Sequence, residues 1–131
     1  MSIELEEAMP VCHPSESAFE VGSTRFTPLA APSSGSAEAS VWQVELQPGD
    51  PGLPHSLTRE EIIVVLNGLG EARLAGETEV VGPGAAIVIP AETEFSLAAI
   101  GSEPLRAIAF LPVGGQAVVY GGEPFTPPWA Q

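Results

Sequence analysis

Basic residues are nearly missing from this chain. Arg25, Arg59, Arg73 and Arg106 stand alone against 17 Asp and Glu, for a formal net charge of −13. Such a surface repels phosphate backbones and anionic lipid, so neither nucleic acid nor a membrane surface is an expected partner. The same acidity also simply keeps a protein dissolved. Cysteine is almost absent too. Cys12 has no second thiol to pair with, which excludes an internal disulfide and suggests a reducing compartment. No apolar run approaches the roughly 18 residues of a membrane helix. The N-terminus carries Glu4, Glu6 and Glu7 where a secretory signal needs basic residues. A cytoplasmic protein is the expectation. There is also no phosphate-binding loop and no Gly-x-Ser-x-Gly elbow. Gly68-Leu69-Gly70 lacks the third glycine and the following helix of a dinucleotide fingerprint, and reads as a turn.

What the chain does have is hydrocarbon and punctuation. Hydrophobic residues make up 44%, and Gly and Pro number 14 each, which fits short strands joined by many turns. Residues 1–40 are rich in Pro, Ser, Ala and Glu and are expected to form an arm. Within it, residues 1 to about 22 read as irregular and Ser33 to Ser40 as a polar loop, with Phe19, Val21, Phe26 and Leu29 available to pin the arm to a sheet. From Val41 the pattern changes. Trp42, Val44 and Leu46 alternate with Gln43 and Glu45, as in a half-buried strand. Residues 61–66 form a β-branched run that is apolar on both sides, so a buried strand is expected, followed by the turn signal Asn67-Gly68. Further strands are expected at 72–74, 77–81, 86–89, 95–99, 105–111 and 117–120, with turns at Ala75-Gly76 and Pro83-Gly84. Short, even spacing with no helix-period segment predicts an all-β antiparallel sandwich or barrel over residues 41–120. Residues 121–131 form a Pro-rich tail whose Phe125 and Trp129 are expected to anchor it to the barrel or to a second subunit.

Two spaced motifs narrow this choice. Gly49, His55, Glu61 and Gly68 fall on a frame of glycine, five residues, His, one residue, His, three or four residues, Glu, six residues and glycine. Gly84 and Pro90 fall on a second frame of glycine, five residues, proline, one residue, glycine, two residues, His, three residues and Asn, whose last three named positions hold Glu92, Phe95 and Ala99. The region from Trp42 to about Leu111 thereby resembles small bacterial cupins. The resemblance implies a double-stranded β-helix, a jelly-roll barrel with one open mouth.

In that family two His of the first motif, its Glu and a His of the second motif hold a divalent metal. Here Leu57 and Phe95 stand at two of those four positions, leaving His55 and Glu61. Two protein ligands are poor compensation for dehydrating a metal, so no metal is expected; a weakly held divalent ion would use His55 and Glu61. Glu60 points to the opposite face from Glu61, Glu92 and Glu94 lie in a loop, and the side chains of Cys12 and His13 diverge.

Without a metal, His55 and Glu61 are a candidate polar pair for general acid–base work or ligand orientation, with burial raising the Glu61 pKa. They also read as remnants with a structural role. Trp42, Leu57, Ile63, Val65, Phe95 and Leu97 are the candidate apolar lining, and Trp42 equally suits plain core. Arg106 reads as a surface residue that could alternatively pair with Glu61. Three functions remain open at this stage. One is a barrel binding a small, largely apolar molecule, as an isomerase, cyclase or auxiliary protein of small-molecule metabolism. The second is a metal-dependent oxygenase or isomerase with an atypical ligand set. The third is a non-catalytic sensor or assembly module whose interior is filled by Leu57, Phe95 and Trp42. A homodimer through sheet edges or exchanged terminal strands is expected.

Overall fold

The computed structural model describes residues 10–131. Eleven strands appear among them: β1 (Phe19–Val21), β2 (Thr24–Ala30), β3 (Ala39–Leu46), β4 (Ser56–Leu57), β5 (Glu61–Asn67), β6 (Leu69–Leu74), β7 (Glu77–Val81), β8 (Ala86–Ile89), β9 (Phe95–Ile100), β10 (Leu105–Pro112) and β11 (Ala117–Val118). The only helical pieces in this region are 3₁₀ turns at Pro32–Ser34 and Pro128–Ala130. A six-stranded sheet runs in the order β1-β2-β3-β10-β5-β8. A three-stranded sheet, β7-β6-β9, and a two-stranded one, β11-β4, complete the walls. All strand pairings are antiparallel, as in a jelly-roll barrel.

Alternation decides what lies inside. On β3, Ser40, Trp42, Val44 and Leu46 are buried while the residues between them face out. On β10 the buried set is Leu105, Ala107, Ala109 and Leu111. Ala109 sits opposite Trp42 on one side and Ile63 on the other. A small side chain between two large ones lets the layers interdigitate without overpacking.

The chain changes sheets at Gly68. The Asn67-Gly68 signal marks a corner between β5 and β6, which belong to different sheets, and not a hairpin between paired strands. Gly68 has φ +84°, and a Cβ there would collide with the Pro104 carbonyl, so only glycine suits this corner. Ala75-Gly76 does close a two-residue hairpin, with Leu74 opposite Glu77.

Part of the expected arm is sheet. β2 lies beside β3, and β1 extends it. At Pro28 within β2, β1 has already ended, a bulge follows, and Ser15 N–H donates to the Pro28 carbonyl at 3.0 Å. Pro28 therefore sits where no ladder donor is needed. The expectation for residues 1–9 lies outside the described residues. Ser40, assigned to a polar loop, is a buried β3 residue whose Oγ donates to the Ala130 carbonyl at 2.9 Å. The last strand stops at Val118, since Tyr120 has φ +51° and is exposed. The tail returns to the barrel, where Trp129 stacks on Phe26 at 3.8 Å and meets Trp42 edge-on at 6.4 Å.

Candidate site at the barrel mouth

Glu61 begins β5 with its side chain on the inward face, in line with Ile63 and Val65. Ile89 on β8 stands opposite it in the ladder. The residue is only 4% exposed, and its Oε1 is fully buried with no hydrogen-bond partner. Burial alone pushes its pKa up to about 8, because an apolar surrounding disfavours the charged form. At neutral pH this carboxyl is therefore largely a neutral acid, able to donate a proton that no protein group receives.

His55 is held differently. The loop before it is tied by Asp50, which accepts hydrogen bonds from Ser23 Oγ at 2.6 Å and Gly52 N–H at 3.0 Å; both hold its pKa below the usual value. The His55 backbone then pairs with Phe95 in both directions, at 3.0 and 2.8 Å. Its ring lies edge-on to Phe95 at 6.0 Å, and Nδ1 is 2.8 Å from the Leu53 carbonyl. His55 is half-buried and makes no hydrogen bond to Glu61. The two residues read as a polar pair thus differ in setting: Glu61 is buried without a partner, and His55 is half-buried with its Nδ1 against a backbone carbonyl.

Trp42, Leu57, Ile63, Val65, Phe95 and Leu97 all belong to one buried apolar cluster. Ile89 belongs there too, a neighbour of Glu61 missed in the sequence although its place just before Pro90 sets its parity. Leu57, Phe95 and Trp42 are each 4% exposed or less, so they help fill the barrel interior in which Glu61 is buried. Two surface hollows lie elsewhere. One of about 490 Å³ lies between the arm and the tail, and one of about 310 Å³ lies beside Arg25 and Arg106; neither is lined by His55 or Glu61. Arg106 is exposed and pairs with Glu45 at 3.1 Å, on the outer face of the large sheet.

A metal of the kind the fold family often carries does not fit these residues. Among the described residues no group of three or more His, Cys, Asp or Glu side chains converges. Glu61 offers one orphaned oxygen, but Leu57 and Phe95 occupy the neighbouring interior, and one His55 nitrogen is directed at a backbone carbonyl.

The sequence matches the family described as cupin domain over residues 42–111, more than half of the chain. Among solved structures, KdgF from Halomonas sp. superposes with a TM-score of 0.64 at 25% identity, covering 74% of this chain and 86% of its own. The polyketide cyclase RemF from Streptomyces resistomycificus gives 0.70 at 23% identity, covering 86% and 82%. A cupin-like protein from Thermotoga maritima gives 0.68 at 23%, covering 78% and 79%. No curated protein matches the sequence. Among the described residues no helix is long and apolar enough to cross a membrane.

Proposed function

The chain belongs to the cupin family, and from that premise we propose that its barrel binds a small, largely apolar molecule and presents Glu61 to it as a neutral carboxylic acid. The observation that carries this reading is the buried Glu61 carboxyl whose Oε1 has no partner. A buried polar group without a hydrogen bond is costly and calls for a reason beyond packing. A ligand carbonyl or hydroxyl would supply the missing partner. An acid that titrates near neutrality is also suited to moving a proton at carbon beside a carbonyl, the chemistry shared by isomerases and cyclases. Apolar neighbours give such a molecule its binding energy, while the single acid orients it.

Entry requires the mouth to open. The segment that carries Leu57 is a short part of the wall. β4 is two residues long and pairs with β11 through Ala117–Leu57 and Val118–Ser56. Short ladders of this kind open at lower free energy than the rest of a fold. Cys12 as the only cysteine suits work in the cytoplasm.

1-Tetralone tests this reading, because it is bicyclic, has no titrating group and bears an enolisable carbonyl. In D₂O the wild type should bind it saturably and accelerate exchange of its α-protons. Glu61→Gln should lose the acceleration, and the pH dependence with it. The reading fails if the ketone does not bind, or if Glu61→Gln exchanges it as fast as wild type.

A second reading, a non-catalytic module with a filled interior, is favoured by the near-complete burial of Leu57, Phe95 and Trp42. Failure of every apolar probe to enter, with Glu61→Gln changing stability alone, would decide for it.

A further inference from the structure

Two buried side-chain atoms among the described residues have no hydrogen-bond partner, Glu61 Oε1 and Trp129 Nε1. The first carries the reading above; the second is not used by it. Trp129 stacks on Phe26 at 3.8 Å with the rings 4° from parallel, and meets Trp42 and Phe19 at 6.4 and 6.3 Å. These contacts use the hydrocarbon of the ring, and phenylalanine could make the same stack. A buried indole N–H ordinarily finds an acceptor. A donor left without one is costly, so it calls for a reason beyond packing.

Strand register and the tail place the two residues at opposite ends of one inward row. Ser40 on β3 lies opposite Leu111 on β10, and Phe110 lies opposite Ile62, so Leu111 falls level with Glu61 on β5. Ser40, Leu111 and Glu61 are each 4% exposed or less. The tail joins this row at its Ser40 end, where Ser40 Oγ donates to the Ala130 carbonyl at 2.9 Å. Ser33 Oγ donates to the Gln131 carbonyl at 2.7 Å, and Gln131 Nε2 to that of Thr126 at 3.3 Å, so the chain around Trp129 is tied down. Two strand spacings of about 4.8 Å put Ser40 and Glu61 on the order of 10 Å apart. Trp129 also packs against the apolar cluster that includes Ile63 and Ile89, the neighbours of Glu61. A hydrocarbon row thus has an acid at one end and, at the other, a residue with a free N–H.

Resting on the reading of the site given above, we infer that Trp129 is its second polar contact: the indole N–H donates to one oxygen of the bound molecule while Glu61 meets another. The ligand class is then a flat, fused-ring ketone with a second oxygen acceptor at the far end of its ring system. Leu111, between the two residues, suits the rings, which need no polar partner. A molecule with a single oxygen leaves one of the two buried groups unpaired, so the site discriminates against it.

6-Methoxy-1-tetralone tests this beside 1-tetralone. The two share a ring system and a ketone and differ by one acceptor that brings no donor. In calorimetric titrations of the full chain, wild type should bind the methoxy ketone about 3–10-fold more tightly. Trp129→Phe, which keeps the ring stack, should abolish that preference while holding 1-tetralone within about twofold of wild type. In ¹⁵N-labelled wild type, one indole N–H resonance should move downfield further with the methoxy ketone than with 1-tetralone. If Trp129→Phe loses its circular dichroism spectrum, that resonance decides alone. Wild type that binds neither ketone sinks the reading of the site, and this inference with it. Wild type that binds both ketones equally, a Trp129→Phe protein that keeps the preference or weakens both alike, or a resonance that moves alike with both, overturns the inference about Trp129 alone.

Discussion

The two sides of β5 invert the usual arrangement. The inward side reads Glu61, Ile63, Val65 and the outward side Ile62, Val64, Leu66. On an ordinary half-buried strand the charge would be outside and the hydrocarbon inside. Here the ionisable carboxyl is inside, without a partner, and hydrocarbon is outside, without a cover. Each departure is costly in an isolated chain. A molecule inside the barrel, as proposed, would satisfy the carboxyl. A strand that is apolar on both sides is thus informative about function where its two sides disagree with their surroundings.

The largest expected effect comes from charging Glu61. Its folded-state pKa, about 8, lies above the unfolded value of 4.5, so the native state holds a proton that the unfolded state has released. Stability is therefore greatest below pH 4.5 as far as this group is concerned, and falls as pH rises toward 8, by about 1.4 kcal/mol per unit. Glu61→Leu should remove that slope and raise stability at pH 8 by roughly 1–4 kcal/mol, because it replaces an unpaired buried charge with hydrocarbon. Urea unfolding at several pH values, at fixed protein concentration, checks this; parallel curves for the two proteins would refute it.

A comparable effect separates the two sides with one residue type. Ile63→Ala on the buried side should cost about 2–5 kcal/mol. Ile62→Ala, next to it on the open side, should cost under about 1 kcal/mol. Equal losses in dilute samples would erase the distinction between the faces. The smallest effect concerns an inward polar group that does have a partner. Ser40→Ala removes the hydroxyl bonded to the Ala130 carbonyl and should cost about 1 kcal/mol, independent of pH. Thermal melts at two pH values would show it, and a pH-dependent loss would mean that Ser40 does more than tie down the tail.

Much of the fold was legible in the chain because it follows from local chemistry. Period-2 alternation marked β3, a β-branched run marked β5, and the glycine at residue 68 marked a change of direction. Three strands escaped. β1 and β2 lie in a stretch whose Pro, Ser, Ala and Glu content reads as an arm, and whether Pro28 is admissible in a strand depends on where β1 ends. β4 escaped because two residues carry no period. At the site, the inward parity of Glu61 and the apolar character of Leu57, Phe95 and Trp42 were readable. That His55 and Glu61 share no hydrogen bond was not, because Nδ1 finds its partner in the backbone of Leu53, in a loop that Asp50 ties down.

The sequence by itself determined that this is a small all-β protein of the cupin family, with an acid on the inner side of a buried strand and apolar residues where imidazoles would stand. Those properties live in spacing and alternation, which need no partner from elsewhere in the chain. Only the tertiary structure decided that the acid has no hydrogen bond, that Arg106 answers Glu45, and that Val41, Phe110, Ile62 and Val88 form one continuous surface. The physical reason is the strand order. β3, β10, β5 and β8 are distant in the chain and adjacent in the sheet, so a property that belongs to neighbours across the ladder exists only once the ladder has formed.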